Sequence, residues 1–160
     1  MKLIVQNKLM SLRGSSKVVD EDVNPKYEVK GKLFSITKKK FLRDLNGNLI
    51  YKIRNKYFKF IFHSAFIYDK NGDKVCKVKQ SFWGRKYYIL GMPDEIAIEG
   101  AVFSRNYQVL RNGSVIGNIS RDFSLLTDHF TLEAEPEDIE FMLALVVALD
   151  NIMDRRSRED

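Results

Sequence analysis

Near the C-terminus the chain reads DIEFMLALVVALDNIMDRR, residues 138–156, and from Phe141 to Leu149 no side chain is polar. A helix that is apolar on every side must be covered on every side, by a protein core or by a bilayer. Helix signals bracket the run. Pro136 suits a first helical turn, where its missing N–H costs nothing. Glu137, Asp138 and Glu140 stand near the positive end of the dipole, and Arg155, Arg156 and Arg158 near the negative end. Length separates the two environments. Ile139–Met153 spans about 22 Å at 1.5 Å per residue, whereas a hydrocarbon core takes about 30 Å, or roughly 20 apolar residues. The run is expected to be a buried core helix and not a membrane span. The rest of the chain must therefore supply an envelope.

That envelope is written as a repeat. NKLMSL begins at Asn7, GKLFSI at Gly31 and NKYFKF at Asn55, 24 residues apart, with weaker versions KQSFWG at Lys79 and SRDFSL at Ser120. Turn signals lie between them: DVNPK from Asp22, DLNGN from Asp44, DKNGD from Asp69 and RNGS from Arg111. Asn-Gly suits a two-residue hairpin turn, because both central residues need positive φ. Alternation follows each turn. Leu49, Tyr51 and Ile53 are expected on one face with Lys52 and Arg54 opposite, leaving Ile50 as an exception. Cys76 and Val78 oppose Lys77 and Lys79, and Val115, Gly117 and Ile119 form a third inward set. A period of two over short runs marks half-buried strands.

The pattern predicts strands near 2–10, 16–22, 26–32, 36–43, 48–54, 60–69, 73–80, 85–91, 95–100, 105–111, 114–120 and 129–134. Consecutive hairpins form an antiparallel meander, and a sheet of this size tends to close, which removes its edges. The expected fold is mainly β: one domain over residues 1–160, with a closed antiparallel barrel of about twelve strands around the C-terminal helix at 136–156. Gly117 is a candidate for letting the helix approach the wall closely.

The repeated Lys-x-(Leu/Phe)-(Met/Phe)-Ser segments, the Asp-x-Asn-Gly hairpins, SRDFSLLTDHFTL and the terminal EDIEFMLALVVALDNIMD resemble the LURP-one-related family, in particular its short bacterial branch. The resemblance covers essentially the whole chain. It implies a tubby C-terminal-like barrel of twelve strands around a central helix, similar in fold to phospholipid scramblases. It also implies uncharacterised function, with phosphoinositide or phospholipid headgroups as the expected ligand class. No motif for calcium accompanies it: DKNGDK at Asp69 lacks the distal glutamate of a calcium loop.

Charge is divided unevenly within a net +6. Lys26–Lys86 holds 17 Lys/Arg against 4 Asp/Glu, and Tyr87–Asp160 holds 6 against 14. A basic half points to an anionic partner: lipid headgroups, nucleic acid or an acidic protein. Solubilisation of strand faces and sheet edges is the plainer use of such lysines. The candidate anion-binding residues are Lys38, Lys39 and Lys40, then Lys52, Arg54, Lys56 and Lys59, then Lys77, Lys79, Arg85 and Lys86. Phe58, Phe60, Phe62, Phe66 and Tyr68 could stack bases, though such a stripe more often builds barrel wall.

Catalytic signals are missing from the sequence. His63, His129 and Cys76 have no zinc-ligand spacing, and there is no phosphate-binding glycine loop or nucleophile elbow. Cys76 on an inward face is expected to be a small core residue. No cofactor is expected. The lone cysteine and the lack of a signal-peptide pattern point to a cytoplasmic protein, peripheral at a membrane if it binds lipid. The expectation is a non-enzymatic barrel that binds anionic phospholipid headgroups. A nucleic-acid-binding module and a protein-interaction scaffold are the alternatives.

Overall fold

The computed structural model describes residues 1–7, 16–32, 36–56, 63–81, 86–100, 105–123 and 128–156. Twelve strands precede one helix: β1 (Lys2–Asn7), β2 (Ser16–Val19), β3 (Pro25–Gly31), β4 (Lys40–Asp44), β5 (Leu49–Asn55), β6 (Ser64–Asp69), β7 (Lys74–Gln80), β8 (Tyr87–Leu90), β9 (Ile96–Glu99), β10 (Asn106–Arg111), β11 (Ser114–Phe123), β12 (Asp128–Ala134) and α1 (Ile139–Arg156). Each strand pairs antiparallel with its sequence neighbours, and β1 pairs β12 to close the barrel. Closure removes the free edges that an open meander would leave. The predicted barrel and its lumenal helix are what the chain forms.

The 24-residue period corresponds to one hairpin. Asn7, Gly31 and Asn55 are the last residues of β1, β3 and β5. The repeat segments that begin there run mostly outside the described residues. At the other end of each hairpin stands an aspartate. Oδ1 of Asp20, Asp44 and Asp69 accepts the backbone N–H groups two and four residues on. Short carboxylates bind nearby amides in this way and hold a turn that the ladder cannot.

These turns correct the two-residue reading. In the Asp44 and Asp69 turns only glycine, Gly47 (φ 86°) and Gly72 (φ 88°), takes positive φ. The turn assigned to DVNPK runs from Asp20 to Asn24, with Val23 at φ 64° in the glycine position. At residues 112–113 the expected type is found, with Asn112 at φ 50° and Gly113 at φ 82° between Arg111 and Ser114.

An extra residue follows several turns. Pairing skips Lys26, Ile50, Val75 and Ile116. Such bulges bend and twist a strand, which helps a sheet curl into a barrel. They explain why Ile50 breaks the alternation. They also overturn two inward assignments: Ile50 packs on the core in place of Leu49, and Val115 is 51% exposed while Ile116 packs on the core in its place.

The helix fills the lumen. Residues Met142–Ala144, Leu145, Val146, Ala148 and Leu149 are fully buried, against Leu3, Leu42, Ile53, Ile67, Val78, Ile119 and Leu132 of the wall. Pro136 stands in the turn before the helix rather than in its first turn, and the Asp138 carbonyl accepts the Met142 N–H. The helix begins at the tight-turn end, where Arg111 Nη2 lies 2.7 Å from Asp138 and Tyr27 donates to Glu140 at 3.4 Å. It ends at the opposite mouth, where Lys40 Nζ lies 2.8 Å from Asp150. There Asn151 donates to the Lys38 carbonyl, and Asn55 donates to the Asn151 carbonyl. No described helix is long and apolar enough to cross a membrane.

Candidate functional site

The strands sort the basic residues by parity. In β5, Ile53 is buried, so Lys52 and Arg54 point outward. In β6, Ala65 and Ile67 are buried, so Phe66 and Tyr68 point outward. In β7, Cys76 and Val78 are buried, so Lys77 and Lys79 point outward. Register then places the charges side by side. Lys52 is opposite Tyr68, Arg54 opposite Phe66, Phe66 opposite Lys77 and Ser64 opposite Lys79. The result is a wall with an aromatic spine on β6 and cations on both flanks.

The rings are tied to those cations. Lys52 Nζ lies 4.7 Å from the Tyr68 centroid, and the Arg54 guanidinium 5.1 Å from Phe66 and 5.3 Å from Tyr68. Arg54 also donates to the Tyr68 hydroxyl at 2.7 Å. Lys77 and Lys74 approach Phe66 at 5.9 Å and 5.8 Å. An ammonium over a ring face is attracted by the ring quadrupole, which holds side chains that would otherwise spread apart. Crowding shows in the titration of Lys77. Partial burial, together with the neighbouring charges of Lys56, Lys79 and Lys74, holds it below the ordinary lysine value. The one carboxylate within β5–β7, Asp69, is engaged by the turn amides of Asn71 and Asp73.

The candidate residues divide accordingly. Lys52, Arg54, Lys56, Lys77 and Lys79 converge. Lys40 faces inward, on the same side of β4 as buried Leu42, and neutralises Asp150. Lys38 and Lys39 lie at the barrel mouth, their carbonyls accepting from Asn151 and from the Lys32 N–H. Lys86 is exposed just before β8. Lys59 and Arg85 lie outside the described residues, as do Phe58, Phe60 and Phe62.

The sequence reading missed three contributors. Tyr88 and Leu90 of β8, each 47% exposed, stand opposite Lys79 and Lys77 and extend the wall with apolar surface. Lys74 joins because the bulge at Val75 pairs it with Tyr68. Alternation flagged the outward parity of Lys77, but only register reveals its neighbours.

Cys76 is fully buried, and burial pushes its thiol up to about 12, so it stays protonated and inert near neutrality. His129 faces Asp122 across β11 and β12, with Nε2 3.6 Å from the carboxylate. No group of three or more metal-ligating side chains occurs among the described residues.

A closed antiparallel barrel of twelve strands, plugged by its own C-terminal helix, defines a β-barrel domain whose interior is solid core. The chain belongs to the LURP-one-related family, whose pattern matches residues 1–150. It is 23% identical over 155 residues to the uncharacterised protein YxjI of Bacillus subtilis, covering 95% of this chain and 93% of that one. The fold is similar to the X-ray structure of an Arabidopsis thaliana protein, with a TM-score of 0.67 and 17% identity over 94% of this chain and 91% of that one.

Proposed function

We propose that the chain is a non-enzymatic barrel domain that docks on anionic phospholipid surfaces through the outer wall of β5–β8. The observation that carries the reading is the convergence of Lys52, Arg54, Lys56, Lys77 and Lys79 next to exposed Tyr88 and Leu90. Each Lys or Arg near an anionic leaflet contributes about 1 kcal/mol. Five of them give reversible attachment, with the adjacent tyrosine and leucine suited to the headgroup boundary. Base stacking is less well supported. Phe66 and Tyr68 already carry cations near their rings and are not open platforms for bases.

Liposome flotation tests the reading. The protein should float with phosphatidylserine-containing vesicles and stay behind with phosphatidylcholine alone. Attachment should weaken as salt rises. Failure to float with either would overturn it, and a salt-dependent gel shift without flotation would transfer the wall to nucleic acid.

A further inference from the structure

On a different part of the barrel the register builds a polar row of another kind. Glu99 of β9 is opposite Gln108 of β10, Gln108 is opposite Asn118 of β11, and Asn118 is opposite Glu133 of β12. All four side chains are exposed. They line a cleft of about 670 Å³, with Ser120 and Thr131 beside them, and none of its lining residues is a Lys, Arg or His. Gln108 donates to Asn118 at 3.4 Å in the middle of the row. The carboxylates at its ends form no ion pair among the described residues. Lys2, opposite Glu133 across β1, pairs with Glu21 at 2.9 Å and feels the Glu133 charge only as a smaller effect.

We propose that this cleft binds a linear polyamine laid across the strands, its terminal ammonium groups on Glu99 and Glu133 and its inner N–H groups on the Gln108 and Asn118 amides. The spacing selects the ligand class. Three strand steps of about 4.8 Å separate the glutamates by about 14 Å along the sheet. That is too far for both carboxylates to bind one metal ion or one ammonium group. It suits a long, flexible polycation with ammonium groups at both ends. The lining offers carboxylate, amide and hydroxyl oxygens, and no cationic group to attract an anion.

The test is calorimetric titration of the full chain with spermine, spermidine and putrescine, and with magnesium chloride at matched ionic strength. Spermine should bind at one site, putrescine and magnesium far more weakly. Glu99→Gln and Glu133→Gln should each weaken spermine by roughly tenfold, one pKa-unit equivalent of charge interaction. Gln108→Lys, which sets a fixed ammonium in mid-row, should abolish binding while thermal unfolding shows an intact barrel. No spermine binding, equal binding by magnesium, or unchanged binding in the Glu99→Gln/Glu133→Gln double variant would each overturn the proposal. Lys77→Met, on the lipid-docking wall, should leave spermine affinity unchanged, so the two sites stand or fall separately.

Discussion

A Cβ built on Gly117 would stand 2.7 Å from the methyl carbon of Met142 and 2.6 Å from the Glu133 carbonyl oxygen. Strand β11 therefore meets the helix at a point where no side chain fits. The first contact is soft, because a methionine end can swing away, but the second is backbone of the neighbouring strand. Gly117→Ala should destabilise the barrel by about 1–3 kcal/mol, the usual cost of overpacking a core. Adding Met142→Ala should restore none of the part due to the carbonyl. Urea midpoints of the two variants and of Met142→Ala alone check this.

Val146 lies mid-helix with no exposed surface. An aspartate there would be a charge without a partner, at the centre of the lumenal helix. Val146→Asp should abolish cooperative folding, since an unpaired buried charge costs several kcal/mol. Leu145→Ala, which removes volume without adding charge, should cost about 2–5 kcal/mol and leave a folded barrel. Thermal unfolding followed by circular dichroism separates the two, and a cooperatively folded Val146→Asp protein would contradict the lumenal role of the helix.

The helix was legible because composition and end charges alone specify it. The strands were legible because alternation and turn residues mark them about every twelve residues. Two things were not. Bulges at Ile50, Val75 and Ile116 insert one residue each, and nothing in an apolar β-branched residue says whether it pairs or is skipped. That is why Leu49 and Val115 were misplaced. The candidate wall also depends on register between strands. Lys52 and Lys77 are separated by a whole hairpin, and only the pairing of each with β6 brings them to the same rings. The same holds for Glu99 and Glu133, whose alignment across three strand steps leaves no trace in either local sequence.

Val23 occupies the position filled by Gly47 and Gly72 in the sister turns, at φ 64° and 64% exposed. A β-branched residue is strained there, and its exposure means that little packing would be lost by changing it. Val23→Asn should stabilise the protein by about 1 kcal/mol, the lower end of the cost of a left-handed non-glycine residue. A higher denaturation midpoint with an unchanged slope is the expected result.

Asp44 should make the barrel acid-sensitive in a defined window. The Asn48 side chain and the turn amides, outweighing a smaller desolvation effect, hold its carboxyl below the ordinary value of 3.8. A carboxyl depressed in the folded state contributes stability above its unfolded pKa and loses it as pH falls through the folded one. Asp44→Ala should therefore unfold at lower urea than wild type at neutral pH. The gap should close as pH drops below about 4. A gap that persists in acid would mean that packing, and not the ionised carboxylate, holds the turn.

Lys77 distinguishes a binding wall from a merely soluble one. Burial and the charges of Lys56, Lys79 and Lys74 depress its pKa below the ordinary lysine value of 10.5. The unfolded chain then binds more protons than the folded one, so folding becomes more favourable as pH rises between the folded value and 10.5. Removing the charge while keeping the stem over Phe66, as in Lys77→Met, should therefore leave the protein no less stable at pH 7 and flatten that alkaline rise. The same change should weaken flotation with anionic vesicles by about fivefold, the equivalent of about 1 kcal/mol for one interfacial cation. Stability and binding would thus move in different directions from one substitution. If the wall serves only solubility, the alkaline profile would flatten and flotation would not change.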